Sequence, residues 1–183
     1  MIRIAVTGTH CVGKTTLMHA TEALLQAQGI SCVLLQEPIE KLGAEIQGLD
    51  LRGAYMRLIE EHFNRLQQNG VDCCLYDRSL LDMLVYFRCS RDEDAILERM
   101  IVELLQWHRQ FIDLYVYLPI EIPLIVNQRR PPDESLRIRI DDEIKRVLNQ
   151  DGFSMLSVTG TVEQRSDQLC NHLQKMIIRN DDV

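Results

Sequence analysis

Eight residues near the amino terminus constrain the fold of this chain more than any other part of it. Residues 8–15 read GTHCVGKT and fit the pattern G-x-x-x-x-G-K-[ST] of a phosphate-binding loop (P-loop). An apolar run at residues 2–6 precedes this loop, and a helical pattern at residues 15–28, which stops at Gly29, follows it. A strand, a glycine-containing loop and a helix in this order are the setting in which the motif is reliable. We therefore predict a nucleotide site rather than a chance match in a turn.

The residue types in the loop explain the chemistry expected of it. Gly8 and Gly13 let the backbone turn tightly, so that successive N–H groups and the following helix N-terminus converge on phosphate oxygens. Lys14 adds a positive charge near the β- and γ-phosphates, and the hydroxyl of Thr15 is placed to coordinate Mg²⁺. A nucleoside triphosphate, for which ATP is expected, and Mg²⁺ are the predicted cofactors. The predicted binding residues are Gly8, Thr9, His10, Cys11, Val12, Gly13, Lys14, Thr15 and Thr16.

Strand-length apolar runs alternate with helical patterns along the chain. The runs lie at residues 2–6, 31–35, 73–76, 114–118 and 154–158; helices are predicted at 15–28, 53–68, 133–149 and 161–178, with a pair between 79 and 110. Because the runs are almost continuously apolar and helices connect them, we predict a parallel five-stranded sheet covered on both faces. This is an α/β, three-layer P-loop NTPase fold. We expect a single domain over residues 1–183, with an arginine-bearing lid at about residues 127–139.

Composition narrows the classes of function. With 46% hydrophobic and 26% charged residues the chain is typical of globular proteins, and its net charge of −7 argues against general nucleic-acid binding. The apolar runs are far shorter than the ~20 residues of a membrane-spanning helix, and the amino terminus lacks the layout of a signal peptide. The six cysteines contain no C-x-x-C pair, which favours buried thiols in a reducing compartment. We expect a cytoplasmic monomer or homodimer that does not bind membranes.

Acidic residues follow two of the predicted strands. Glu37 comes after the second strand, where it can face the γ-phosphate and accept a proton from an attacking hydroxyl. Asp77 follows the third strand, where this fold places a second Mg²⁺ contact, and Arg78 can pair with a phosphate or with Glu37. Lys14, Glu37, Asp77 and Arg78 are therefore predicted to be catalytic, and Thr15 and Asp77 to hold the metal.

The alternatives for these residues stay open at this stage. Glu37 in a solvated loop, or Asp77 as a helix cap beside Arg78 in a surface ion pair, would fit the same sequence. The residues do not decide which of Glu37 and Asp77 is the base. Asp82, one turn further along, fits an exposed helix face and a substrate contact equally well.

Arginines cluster beside a proline-rich segment. Four of the five prolines lie at residues 119–132, which favours a loop or lid, and this segment also carries Arg129 and Arg130. Guanidinium groups on such a lid can close over a triphosphate and stabilise the charge that develops during transfer. We predict that Arg130 is catalytic and that Arg129 and Arg137 bind nucleotide, whereas Arg139 fits a solvated surface; which lid arginine touches the transferred phosphoryl group stays open. Gly160, after the fifth strand, is predicted to lie against adenine, with turn geometry as the alternative.

Taken together, these residues resemble the P-loop kinase superfamily. Glu37-Pro38 after the second strand and Asp77-Arg78-Ser79 after the third resemble deoxyribonucleoside kinases, which have Glu-Arg-Ser in the later position. That resemblance implies that Glu37 activates a nucleoside 5′-hydroxyl and that Arg78 holds the acceptor end of the site. A closer resemblance is to the small ATPase-domain group that includes ribosylnicotinamide kinase domains. It is carried by Asp-Arg followed by Leu-Leu-Asp at residues 77–82, and by the Leu-Pro, Ile-Pro and Arg-Pro-Pro-Asp-Glu runs between residues 118 and 134.

The acceptor is less well defined than the donor. Forty positions separate Glu37 from Asp77, fewer than deoxyribonucleoside kinases use to build a base pocket, so we expect residues 53–69 to supply most of it. The candidates in that segment are Tyr55, Met56, Arg57, Ile59, His62 and Phe63. We predict an ATP-dependent small-molecule kinase that phosphorylates a hydroxyl of a nucleoside or nucleoside-like acceptor. The alternative is a nucleotide-dependent ATPase or GTPase switch, or a binding module, without such an acceptor.

Overall fold

Strands and helices alternate along almost the whole chain. The structure, a computed structural model, describes residues 1–90, 93–124, 133–150 and 152–181. Its strands are β1 (Ile2–Thr7), β2 (Cys32–Leu35), β3 (Cys73–Asp77), β4 (Leu114–Tyr117) and β5 (Met155–Ser157). Its helices are α1 (Lys14–Ala27), α2 (Pro38–Ile46), α3 (Leu51–Arg65), α4 (Leu80–Cys89), α5 (Ala95–His108), α6 (Glu134–Leu148) and α7 (Val162–Asp181).

The five strands form one parallel sheet in the order β2-β3-β1-β4-β5. β1 is central, and its Ile4 is in register with Leu75 of β3 and with Leu114 of β4. The predicted parallel five-stranded sheet is therefore confirmed. Because parallel strands end at the same edge, the segments that follow β1, β2 and β3 are brought side by side.

Two hydrophobic cores cover the two faces of the sheet. Ile4 and Leu75 face one core, where α1 packs against α7. Their neighbours in sequence, Ala5 and Tyr76, face the other core, which is built mainly from α4, α5 and α6. This alternation is why strands covered on both faces are apolar almost throughout. The predicted three-layer arrangement is confirmed.

Helix α2 is absent from the sequence analysis. The sequence analysis assigned no helix to this segment, which is only 9 residues long. Pro38 occupies the first turn, where the missing N–H of proline removes no hydrogen bond and its fixed φ suits the helix. Leu42, one turn further on, is buried. The consequence is that Glu37, as the N-cap residue, is fixed between β2 and α2 instead of lying in an irregular loop.

The predicted lid falls partly outside the described residues. Arg129 and Arg130 lie there, and their predicted roles stay predictions. The later part of the predicted lid, residues 133–139, begins with Asp133, whose side chain caps α6, and continues into that helix. Among the helices that the structure describes, none has both the length and the apolar composition needed to cross a bilayer.

Candidate phosphate and acceptor site

The P-loop connects the end of β1 to the start of α1. Gly8 has φ +148°, and a Cβ atom there would lie 2.8 Å from the carbonyl oxygen of Leu118. Gly13, with φ +90°, immediately precedes the first residue of α1. Residues with a side chain rarely adopt these φ angles, so the backbone of the loop requires glycine at both positions. Cys11, with φ +58°, is a third left-handed position in the loop.

Lys14 is folded back onto the loop. Its Nζ donates hydrogen bonds to the carbonyl oxygens of Gly8 (3.0 Å) and Thr9 (2.9 Å). Burial and, to a smaller extent, the nearby charge of Arg78 lower the pKa of Lys14 to about 7, against opposing contributions from carboxylates that include Asp77. A triphosphate at this position would supply the negative charge that the buried ammonium group lacks.

Two buried arginines hold the outer side of the loop. Arg137, on α6, donates from Nε to the carbonyl oxygen of His10 (3.3 Å) and from Nη2 to that of Ile122 (2.7 Å). Arg165, on α7, donates to the carbonyl oxygen of Val12 at 2.7 Å. Because loop carbonyls face these cations, loop N–H groups remain available on the phosphate side. The predicted contact of Arg137 with nucleotide stays a prediction, and its observed partners are protein carbonyls and Glu134.

Gly160 belongs to the network around Arg165. Glu121 accepts a hydrogen bond from Arg165 (2.6 Å) and one from the backbone N–H of Gly160 (2.9 Å). Gly160 has φ +96°, and an added Cβ would collide with the side chain of Gln164. Turn geometry accounts for this glycine, and its contact with adenine stays a prediction.

Thr15 and Asp77 fit a Mg²⁺ site. The hydroxyl of Thr15 donates to Oδ2 of Asp77 at 3.1 Å. Oδ1 of Asp77 is buried and has no hydrogen-bond partner among the described residues, so one acceptor is free for a metal-bound water. Protein sites for Mg²⁺ commonly use one or two protein oxygens together with phosphates and water. In the described part of the chain no group of three or more metal-binding side chains occurs.

The turn after β3 excludes the capping role considered for Asp77. Ser79 is the N-cap of α4; its hydroxyl accepts from the N–H of Leu81, and Asp82 accepts from the N–H of Ser79 at 2.9 Å. Asp82 is fully buried and also accepts from the hydroxyl of Thr7 at 2.8 Å, so it does not lie on an exposed helix face. Burial raises the pKa of its carboxyl group, against the opposing charge of Arg78.

Arg78 and Glu37 form the centre of the site. Arg78 is 8% exposed, and its Nε lies 2.6 Å from Oε1 of Glu37. Its Nη1 lies 3.6 Å from Asp82, and its guanidinium stacks 4.6 Å from the ring centroid of Tyr86. Arg78 has φ +65°, an uncommon conformation for a residue with a side chain. The predicted pairing of Arg78 with Glu37 is present, and it is not a surface ion pair.

Two cavities meet at this ion pair. A cavity of about 180 Å³ beside the P-loop is lined by Lys14, Thr15 and Asp77, among others. A second cavity, of about 290 Å³, lies between α2, α3 and α4. Glu37 and Arg78 are the two residues that line both. The other residues that line the second cavity are Pro38, Ile39, Tyr55, Leu58, His62, Ser79, Asp82, Met83, Tyr86 and Ser90.

Only part of the second cavity lies where the sequence analysis expected it. Of the six candidates on α3, Tyr55 and His62 line it. Ile59 is instead buried in the core, and Arg57 is committed to surface ion pairs with Glu45 and Glu60. Met83 and Tyr86 were missed, although they recur three residues apart on a helix that starts at a strand end.

Comparison with known proteins identifies the family. A family model described as an AAA domain matches residues 3–165. The chain belongs to this AAA domain family. A search of curated proteins finds no match.

Solved structures similar to this AAA domain protein include nucleoside and nucleotide kinases. Deoxyadenosine kinase from M. mycoides, with products dCMP and a flexible dCDP bound, has a TM-score of 0.68 at 15% identity and covers 96% of this chain and 100% of its own. The same enzyme with bound dATP gives 0.68 at 16% identity, with coverage of 95% and 100%. Thymidylate kinase from Ehrlichia chaffeensis gives 0.65 at 17% identity, with coverage of 94% and 98%. These structures confirm the predicted kinase-like P-loop fold, and the family match identifies the chain as an AAA domain.

Proposed function

We propose that this protein is a Mg²⁺-dependent kinase that transfers the γ-phosphoryl group of ATP to a hydroxyl of a nucleoside-like acceptor. The single observation that carries the proposal is the ion pair of Glu37 and Arg78, which forms part of the walls of both cavities. Phosphoryl transfer requires donor and acceptor to approach each other in line, so a carboxylate shared by two adjoining cavities is suitably placed. An ATPase or GTPase switch, which only hydrolyses its nucleotide, would not require the second cavity.

The residues divide the work of the reaction between them. Lys14 and the N–H groups of the P-loop bind the β- and γ-phosphates, and Thr15 with Asp77 would hold Mg²⁺. When bound, Mg²⁺ neutralises negative charge on the phosphate oxygens. Glu37 accepts the hydroxyl proton while the acceptor oxygen bonds to the γ-phosphorus and the bond from that phosphorus to the β–γ bridging oxygen breaks, releasing ADP. Arg78 orients Glu37 through their ion pair.

The charges of the acceptor cavity favour a hydroxyl acceptor over a phosphomonoester. Among the described residues that line it, Glu37 and Asp82 are carboxylates, and Arg78 is the single cation. Burial lowers the pKa of His62 well below its usual value, so its ring is neutral at pH 7. An acceptor with a phosphate group would therefore meet net negative charge, whereas the apolar and tyrosine side chains suit a neutral ring system.

An acceptor panel tests the proposal directly. Purified protein with Mg·ATP is incubated with nucleosides, with ribosylated pyridines, and with the corresponding 5′-monophosphates, and ADP release is measured. We expect at least one acceptor without a phosphate group to stimulate ADP release. The 5′-monophosphate of that acceptor should give no ADP release above background. ADP release that no acceptor accelerates would contradict the kinase assignment, and stimulation by monophosphates alone would contradict the hydroxyl acceptor.

Substitution of Glu37 tests the role of the shared carboxylate. In Glu37→Gln we expect kcat to fall by about 10² to 10⁴, as for the loss of a general base, while the Kd for ATP stays within about threefold. Glu45→Gln is the matched control, because Glu45 lies on the same helix and also pairs with an arginine, at 2.6 Å, but on the surface. Equal effects in the two variants would remove Glu37 from the mechanism.

A further inference from the structure

Arg65 is a buried cation that, among the described residues, donates to main-chain carbonyl oxygens and forms no ion pair. It is the last residue of α3 and is only 6% exposed. Within the described residues, no carboxylate lies at ion-pair distance from its guanidinium. Its nitrogens donate instead to three main-chain carbonyl oxygens: those of Leu35 (2.8 Å), Asp77 (3.1 Å) and Arg78 (3.3 Å).

The three carbonyls belong to the two strand ends that form the site. Leu35 is the last residue of β2, two positions before Glu37, and Asp77 is the last residue of β3. The guanidinium therefore spans from the segment that carries the proposed base to the segment that carries Arg78. A planar fork of five N–H donors can bridge carbonyls in this way, whereas an ammonium group donates from a single atom.

The same contact holds the unusual backbone of Arg78. A residue with a side chain in the left-handed region is strained and persists where neighbouring groups fix it. The N–H of Arg78 donates to the carbonyl oxygen of Val6 (3.2 Å), and the carbonyl oxygen of Arg78 accepts from Arg65. Its peptide groups are thus held from β1 on one side and from α3 on the other.

Stability alone does not explain a cation here. Burial lowers the pKa of Arg65 to about 10, which reflects the loss of hydration. Buried charges are often replaceable by apolar side chains of similar volume with little loss of stability. An apolar side chain would fit beside the ring of Tyr76, whose centroid lies 5.2 Å from the guanidinium, and beside the buried His62, but it would leave the three carbonyl oxygens without their donor.

We propose that Arg65 is a positioning residue for phosphoryl transfer, which holds the ends of β2 and β3 at the spacing that keeps Glu37 against Arg78. The proposal rests on the proposed kinase function. Arg65 lines neither of the two cavities that meet at the ion pair. It acts through the backbone of the residues that do.

Kinetics of Arg65→Met and Arg65→Lys test this role. A displacement of about 1 Å at reacting groups costs roughly 10² in rate, so we expect kcat of Arg65→Met to fall about 100-fold, with the acceptor KM and ATP Kd within about threefold. Arg65→Lys retains the charge and one donor atom and should recover part of kcat. Arg57→Met, on the exposed side of the same helix, is the matched control. A kcat per folded molecule within threefold of wild type in Arg65→Met, or no recovery in Arg65→Lys, would overturn the proposal.

Hydrogen exchange provides a readout that does not depend on activity. In Arg65→Met the amide of Arg78 should exchange at least about tenfold faster than in wild type and in Arg57→Met, because one of its two restraints is lost. Unchanged protection of that amide would overturn the proposal. If the wild-type protein phosphorylates no acceptor, the proposed function fails. Hydrogen exchange then decides only whether Arg65 holds the ends of β2 and β3 together. If Arg65→Met does not fold, the same exchange and kcat measurements are made on Arg65→Lys, for which smaller changes in the same directions are expected.

Discussion

At the scale of single residues, Lys14 shows the electrostatic cost of burying an ammonium group in the P-loop. Its ammonium group is buried against two carbonyl oxygens and lies near the guanidinium of Arg78. Its pKa of about 7 is far below that of a free lysine, so a large fraction is uncharged in mildly basic solution. Phosphate binding reverses this, because the charged form then gains a counter-ion.

ATP binding should therefore take up a proton at Lys14 above neutral pH. At pH 8 Lys14 is mostly deprotonated in the protein without ATP, and the phosphates of ATP are fully ionised. We therefore expect an uptake close to one proton per ATP bound. Affinity should weaken by up to about tenfold per pH unit above pH 7. Calorimetric titrations in two buffers of different ionisation enthalpy measure the uptake. In Lys14→Arg, whose side chain does not titrate, the uptake should disappear; an uptake that persists there would assign it to another group.

Single residues also mark what the sequence can and cannot predict. Gly8, Lys14 and Asp77 were predicted to be close in space because their roles follow from a local motif or from a strand end. The burial of Arg65 and of Asp82 depends on partners that are distant in sequence: Arg65 donates to the carbonyl oxygen of Leu35, and Asp82 accepts from the hydroxyl of Thr7. Arg65 falls on the same face of α3 as the buried Ile59 and His62, so its position in the apolar periodicity was the available signal.

At the scale of elements, the P-loop depends on two helices far from it in sequence. α6 supplies Arg137 and α7 supplies Arg165, and both donate to loop carbonyl oxygens. Such charge-assisted hydrogen bonds are worth about 1.5 to 3 kcal/mol each. The sequence analysis located both helices within three residues of their observed starts, because their apolar periodicity is strong. It did not predict that they fix the loop, since no local pattern encodes a carbonyl as the partner of an arginine.

Substitution of Arg165 should weaken ATP binding without changing acceptor binding. In Arg165→Met we expect the Kd for ATP to rise about tenfold, since part of the energy of the bond to Val12 is no longer available to order the loop. The acceptor KM should change little, because Arg165 does not line the acceptor cavity. Arg146→Met, at an exposed ion pair on α6, is the control. Binding of a fluorescent ATP analogue measures the effect, and equal Kd values in the two variants would show that the loop does not need Arg165.

At the scale of the whole molecule, buried histidines couple folding to pH. His108 closes α5 and packs against His62 and Phe63, with ring centroids 6.1 Å and 5.6 Å apart. Burial and, to a smaller extent, the charge of Arg65 lower the pKa of His108 to about 4. The unfolded chain binds this proton near pH 6.5 and the folded chain does not, so folding is favoured above that pH and disfavoured progressively below it.

The free energy of unfolding should fall as the pH is lowered from 6.5 to 4. A shift of this size corresponds to about 3 kcal/mol at most from His108. In His108→Phe, which keeps an aromatic ring in the same packing, this part of the pH dependence should be lost. Urea unfolding at several pH values measures it, and His19→Gln serves as the control because His19 is largely exposed on α1. Parallel curves for wild type and His108→Phe would contradict the assignment.

The whole architecture was more predictable than the site within it. All five strands were located to within one residue, because a sheet with helices on both faces demands continuous apolar runs. The short helix α2 was missed, and with it the wall that Pro38 and Ile39 give to the acceptor cavity. Sites formed between elements depend on tertiary distances, and a single sequence does not contain these.

The ion pair of Glu37 and Arg78 has a consequence for the order of events in a catalytic cycle. It lines both cavities, so the proposed donor and acceptor can occupy the protein together. Steady-state kinetics should then give intersecting lines in double-reciprocal plots, with no phosphorylated enzyme between half-reactions. A single molecule in which a phosphate chain joins a nucleotide to the acceptor would extend past this ion pair and occupy both cavities at once.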